Sequence, residues 1–255
     1  MNTNDLDETF LPVGLAKSRS AHSATYASEA NWERANTIRL AGFEPRSFVA
    51  GPGMRSMVWV AGCHRRCRGC SQPEFFAFDV GQDVPVEILW QRIAAIPDLD
   101  GISFSGGEPF EQVRPLAALA QLAHAHGKTV VSYTGYRLEA LEADRERFGP
   151  LLDEVDLLID GEFRADLTGH YRWRGSRNQR LICLTDRIKL PAETDVSEMQ
   201  ITFDTKGSEL IFSGILAQDL IRELRAKLSQ QGFATSSRGC DTHTPDTTPP
   251  DGNTG

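Results

Sequence analysis

No apolar run in this chain approaches the ~18 residues that a bilayer-spanning helix needs, so no membrane span is expected. Cysteine is scarce: there are five, an odd number, and they are crowded rather than spread. That pattern does not make the disulfide framework of a small secreted domain. Positive charge is in deficit, with 27 Lys and Arg against 35 Asp and Glu and a net charge of −8. A net charge of that sign argues against a general nucleic-acid binder, since it does not neutralise many phosphates. The opening stretch, MNTNDLDETFLPVGLAKSRS, holds no apolar core of the kind a secretory leader carries, and a reducing cytoplasm is the expected compartment.

What is present is an ordinary globular composition, 40% hydrophobic and 24% charged over 255 residues. Residues 1–35 are polar and without a strong period, apart from a possible short helix around SEANWERAN, and read as an extension. Residues 36–190 alternate between β-prone and helical segments. MVWVAG (57–62), GISFS (101–105), KTVVSY (128–133), DLLID (156–160) and QRLICL (179–184) read as strands. PVEILWQRIAAI (85–96) and VRPLAALAQLAHAHG (113–127) carry helical apolar stripes, the second with Gly127 placed to end it. Residues 137–155 read as helical with a break at Gly149–Pro150. A βα repeat of this kind predicts an α/β fold with parallel strands and helical crossovers. It is too short for a complete eight-stranded barrel, which takes roughly 250 residues, so an open, partial parallel barrel is expected. Ligands then gather at the C-terminal edge of the strands.

After this core, residues 191–233 read as a ββα appendage: two strands around a Lys206–Gly207 turn, then a helix with Leu220, Leu224 and Leu228 on one face. Residues 234–255 are rich in Pro, Thr, Asp and Gly and are expected to be a disordered tail, with Cys240 in it.

The chemistry-bearing stretch is GCHRRCRGC, which places Cys63, Cys67 and Cys70 within eight residues. In a reducing compartment such clustering suggests thiolate ligation of a metal. A structural zinc site pairs one C-x2-C knuckle with a second pair. Here the knuckle is Cys67–Cys70, and Cys63, His64, Cys183 and Cys240 are the candidates to complete it. Cys183, in the apolar run LICL, is expected to be a buried core thiol. An iron–sulfur cubane suits the pattern better. Its irons are held by thiolates, commonly four. Three from one loop leave an iron open for a small molecule.

The spacing C-x3-C-x2-C directly after a first strand resembles the radical S-adenosylmethionine (SAM) superfamily. SGGEP (Ser105–Pro109) ends the next strand, where that superfamily carries its GGE motif. GPGMRSMVWVAGC, SYTGY (132–136), DGEF (160–163) and WRGSRNQR (173–180) are similar to segments of the glycyl-radical-enzyme activases, closest to the anaerobic ribonucleotide reductase-activating proteins. The resemblance covers about residues 37–185.

It implies a 4Fe–4S cluster held by Cys63, Cys67 and Cys70, with the amino and carboxylate groups of SAM on the open iron. Reductive cleavage of SAM then gives methionine and a 5′-deoxyadenosyl radical. Gly106 and Gly107 allow close approach of the backbone, and Glu108 accepts a hydrogen bond from the SAM ammonium. Gly69, Cys70 and Ser71 lie against the adenosyl part. Thr134 and Asp160, at the ends of later strands, line the same edge. Arg174, Asn178 and Gln179 are either substrate-backbone contacts or a structural hydrogen-bond network. Many superfamily members carry an aromatic residue just before the third cysteine; Gly69 stands there instead, so adenine packing must come from elsewhere.

The implied partners are a separate glycyl-radical enzyme and a low-potential electron donor such as flavodoxin or ferredoxin. A radical SAM enzyme acting directly on a metabolite or peptide is the alternative. A non-catalytic iron–sulfur or zinc binding module is a third reading, but leaves GGE and SYTGY without a purpose.

Overall fold

The structure, a computed structural model, describes residues 36–169, 171–192, 200–203, 209–213, 223, 226–230 and 234–237. The expected helix around SEANWERAN, the Lys206–Gly207 turn, Leu220, Leu224 and Cys240 lie outside these. The chain divides into two units, Met1–Arg34 and Ala35–Gly255, and all the described residues belong to the second.

A seven-stranded mixed sheet is built from β1 (Thr37–Ser47), β2 (Arg55–Val60), β3 (Gln82–Pro85), β4 (Gly101–Gly106), β5 (Thr129–Thr134), β6 (Leu157–Asp160) and β7 (Arg180–Cys183), in the order β3-β1-β2-β4-β5-β6-β7. The central four strands, β2, β4, β5 and β6, are parallel. Their registers align Val60 with Gly106 and Thr134 with Asp160. The C-terminal ends of these strands therefore form one edge. The cysteine loop leaves the sheet just after Val60.

Alternation along the strands sorts the side chains. Val58, Val60, Ile102, Phe104, Val130 and Leu158 face a layer of helices, α1 (Val86–Ala94), α2 (Val113–Ala125), α3 (Leu138–Ala143) and α4 (Arg145–Leu152). In α1 the buried residues Val86, Leu89, Trp90 and Ile93 recur at helical spacing. Helix α2 stops where expected: Gly127 has φ +71, and the amides of Gly127 and Lys128 donate to the carbonyls of His124 and Ala123, both at 2.9 Å. The other sheet face presents Met57, Trp59, Val131, Tyr133, Leu157 and Ile159, in two smaller clusters that Ala50 and Trp173 join.

Several expectations are corrected. β1 and β3 were not expected as strands; they run antiparallel at one end of the sheet. β7 is antiparallel to β6, not parallel; among the described residues the connection 161–179 carries a 3₁₀ turn at Ala165–Leu167 and no crossover helix packed on the sheet. The break in 137–155 falls at Asp144, whose carboxylate accepts from the Arg147 amide at 3.3 Å and caps a new helix; Pro150 lies inside α4. Cys183 is exposed rather than buried, because β7 is an edge strand.

A second sheet contains β8 (Gln200–Phe203), β9 (Glu209–Ser213) and β10 (Ala234–Ser237). β8 and β9 pair antiparallel, as expected of two strands around a turn. β10 pairs parallel with β9, so residues 234–237 are a strand and not the start of a disordered tail. A parallel partner needs a crossover, and helical residues at 223 and 226–230, with Leu228 half-buried, lie between the two strands. A chain ending at residue 233 strips β9 of this partner. It is expected to unfold at a lower temperature than one ending at residue 239, measured by thermal melts of the two.

The opposite edge of the parallel sheet is held by a buried cation. Arg55 has no exposed surface. Its Nε donates to Ser103 Oγ at 2.8 Å, Nη1 to Pro52 O and Thr129 Oγ1 at 2.9 and 3.0 Å, and Nη2 to Ile102 O and Thr129 O at 2.8 and 2.7 Å. All five donors are used. Burial lowers the guanidinium to about 10, opposed by Asp156 and Asp100, so it remains charged near neutrality. Arg55→Met leaves these acceptors dry and unpaired. A loss of about 3–5 kcal/mol is expected, read as a fall in the urea midpoint at unchanged m-value.

Candidate functional site

The cysteine loop is fastened at both ends. The Gly62 and Cys63 amides donate to the carbonyls of Phe75 and Phe76, at 2.9 and 3.1 Å, and the Cys70 amide donates to Cys67 O at 3.2 Å. Cys63 is buried, Cys67 and Cys70 are half-buried, and all three are free thiols. Burial pushes Cys67 up to about 11, with the Phe163 backbone pulling the other way, and raises Cys70, whose sulfur accepts from the Gln72 amide at 3.5 Å. Each thiol lies within electrostatic reach of another. Among the described residues no three His, Cys, Asp or Glu side chains converge as ligands of one metal ion. A zinc site needs four ligands around one point. A cubane gives each thiolate its own iron, and three soft thiols on one loop can hold three of its four irons.

The GGE segment is stitched to this loop. The Gly107 amide donates to Val60 O at 2.7 Å, and the Glu108 amide to Gly62 O at 2.8 Å. Gly106 has φ +102, which disfavours other residues, and a Cβ on Gly107 would overlap the Gly62 carbonyl. Neither position accepts alanine without moving the GGE segment away from the cysteines.

Glu108 is 1% exposed. Its Oε1 accepts from Thr134 Oγ1 at 2.9 Å and the Phe110 amide at 3.1 Å, and its Oε2 accepts from the Gly135 amide at 2.8 Å. Burial raises this carboxyl to about 7, against the pull of those donors and of Arg65. Thr134 thus positions Glu108, while its own oxygen accepts from the Tyr136 amide at 3.1 Å.

The structure brings Cys63, Cys67, Cys70, Gly106, Gly107, Glu108 and Thr134 to one edge. Gly69 and Ser71 lie on the cysteine loop, Gly69 with φ +77. Asp160 shares that edge in register, but its carboxylate is taken up by the chain. Arg180 Nε donates to Oδ1 at 2.9 Å, Arg180 Nη2 and the Leu138 amide donate to Oδ2, and Arg137 lies at 3.7 Å. Gln179 serves a local network: its Oε1 accepts from the Gly175 and Ser176 amides, and its Nε2 donates to Gly161 O. Asn178 donates to Glu162 O at 2.8 Å, and Arg174 to Gln179 O at 3.4 Å while lying over the Tyr171 ring.

Two residues of the site were not singled out in the sequence. Arg65, between the first two cysteines, crosses the Gly135 turn, lies 4.7 Å over the Tyr136 ring and stands 3.9 Å from Glu162. Its place inside the cysteine motif was the available signal. Phe163, in the DGEF segment, lies beside the cysteine loop, its Cε1 3.8 Å from where a Cβ on Gly69 would be.

Comparison with known proteins places these features in context. The family described as "4Fe-4S single cluster domain" matches residues 49–182. The anaerobic ribonucleoside-triphosphate reductase-activating protein of Salmonella typhimurium is 35% identical over 151 residues, 56% of this chain and 96% of that protein. Its counterpart in Escherichia coli K12 is 34% identical over 146 residues, 54% and 93% of the two chains. That of Enterobacteria phage T4 is 29% identical over 151 residues, 56% and 93%.

Proposed function

The chain belongs to the 4Fe–4S single cluster domain family of the anaerobic ribonucleoside-triphosphate reductase-activating proteins, and we propose that Cys63, Cys67 and Cys70 hold its cluster. It is a radical SAM enzyme that installs a glycyl radical on a separate partner enzyme. When bound, the cluster supplies the electron that cleaves SAM to methionine and the 5′-deoxyadenosyl radical that takes hydrogen from the partner's glycine.

The chain's own residues bind and aim. The observation that carries the reading is the pair of backbone hydrogen bonds from Gly107 and Glu108 to Val60 and Gly62, which fixes the GGE segment against the cysteine loop. Glu108 faces the SAM amino group, held by Thr134 and Gly135. Gly106 and Gly107 admit the ligand's polar end to backbone contact. Arg65, a cation beside Glu108, offers a counter-charge to a carboxylate. Gly69, Cys70 and Ser71 border the adenosyl part, and Asp160 with Arg180 braces the end of β6.

The parallel strands covered by helices on one face support a sheet that curls as an open, partial barrel, its other face turned to the substrate. A low-potential flavodoxin or ferredoxin is the proposed electron donor. Among the described residues no helix is long and apolar enough to cross a membrane.

The test is anaerobic reconstitution with iron and sulfide, followed by dithionite and SAM. Methionine and 5′-deoxyadenosine in equal amounts are expected. A protein that loads iron and yields neither is a binding module, and the reading fails.

A further inference from the structure

SAM carries an adenine, and adenine is held most readily by stacking on an aromatic side chain. Position 69, beside the third cysteine, offers no ring. A ring nevertheless stands there. Phe163 Cε1 lies 3.8 Å from where a Cβ on Gly69 would be, and Cδ2 and Cε2, on the opposite edge of the ring, lie 2.9 and 3.2 Å from where one on Gly175 would be. Two glycines therefore flank Phe163 at opposite edges, and neither places a side chain against the ring. Phe163 also lies close enough to the cysteine loop for its backbone to act on the Cys67 thiol. The side chain is half-buried.

Three other aromatic residues near the site have their rings packed elsewhere. Tyr136 lies under Arg65 and 5.1 Å from Phe148; Phe78 packs 4.5 Å from His64; Tyr133 packs against the cluster of Ala50, Met57 and Trp59.

We infer that Phe163 is the stacking platform for the adenine of SAM, supplied from the loop after β6 in place of a ring at position 69. The inference rests on SAM binding at this cysteine loop. It also gives the DGEF segment a purpose: Asp160 anchors the strand end, and Phe163, three residues on, delivers the ring.

Phe163→Leu keeps the volume and removes the π-face. Binding of SAM, and of methionine, which has the same amino and carboxylate groups but no adenine, is measured calorimetrically on the reconstituted protein. SAM affinity is expected to fall about five- to hundredfold, with methionine affinity and iron content unchanged. Phe163→Tyr is expected to retain SAM affinity. Wild-type SAM affinity in the Leu variant, an equal loss of SAM and methionine, or a loss of iron overturns the inference while leaving the family reading intact. Failure of the wild-type protein to bind SAM overturns both.

Discussion

Cys63→Ala, Cys67→Ala and Cys70→Ala are each expected to lose the cluster's visible absorption and reduce SAM cleavage to background, while Cys183→Ala retains iron near the wild-type content. The contrast follows from position. The three loop thiols are buried or half-buried and share one electrostatic environment. Removing one leaves two ligands and an additional open iron, which solvent or oxygen can attack. Cys183 lies exposed on edge strand β7, and its paired residue Leu157 places it at the start of β6, away from the edge that carries Glu108 and Thr134. Cys240→Ala is expected to behave like Cys183→Ala. Iron content by colorimetry and 5′-deoxyadenosine by chromatography check both halves. An iron-free Cys183→Ala protein would overturn the three-ligand assignment.

Glu108→Gln carries the second large effect, and the geometry makes it larger than a simple loss of charge. The carboxylate accepts from two backbone amides and a hydroxyl, with an amide facing each oxygen. Glutamine keeps one acceptor and turns an NH₂ toward either the Phe110 or the Gly135 amide, whichever way it flips. A buried donor then faces a donor, at a cost of about 1–3 kcal/mol to the fold. Loss of the charge-assisted contact to SAM removes about 1.5–3 kcal/mol more from binding, one to two decades in affinity. SAM affinity is expected to fall at least tenfold while iron content holds.

The same residue gives the cluster-free protein a pH dependence. Its folded value of about 7 lies above the ordinary 4.5, so the folded state favours the protonated form. That contribution is fully present below about 4.5 and is lost as pH rises to about 7, on the order of 3 kcal/mol. Urea melts across this range are expected to show wild-type stability falling with pH, and Glu108→Gln losing that component of the slope. A cation at Glu108 favours its charged form, so SAM binding near neutrality should release protons, read by calorimetry in buffers of different ionisation heat.

Much of this site is local in sequence and was legible there. The three cysteines occupy one loop, and GGE ends β4 because a strand that must turn against a neighbouring backbone ends in glycines. Helices α1 and α2 were equally legible, since their apolar stripes bury against a single sheet face. What escaped depends on distant partners. The helix break falls at Asp144, whose carboxylate caps α4, and α4 runs on through Gly149–Pro150. Cys183 looked buried because LICL is apolar, but it ends β7 at the edge of the sheet, where it is exposed while Leu181 and Ile182 are half-buried. The antiparallel course of β7 goes with a connection that, among its described residues, holds no crossover helix, which the pattern of strands alone did not reveal. Glu108 was legible as a candidate ligand contact through the GGE motif. Its second task, holding the turn after β5, required knowing that Thr134 and Gly135 come to rest beside it. Phe163 was hidden for the same reason: nothing in DGEF announces that its ring reaches a glycine in the cysteine loop.

The central claim, transfer of a hydrogen atom from a partner's glycine, is tested most directly by isotope. An anaerobic ribonucleotide reductase prepared with α-deuterated glycine is incubated with the reconstituted protein, a reductant and SAM. The account predicts deuterium in the 5′-deoxyadenosine and a glycyl radical signal on the reductase in the electron paramagnetic resonance spectrum. Deuterium-free 5′-deoxyadenosine, formed at the normal rate with no radical on the reductase, would contradict it.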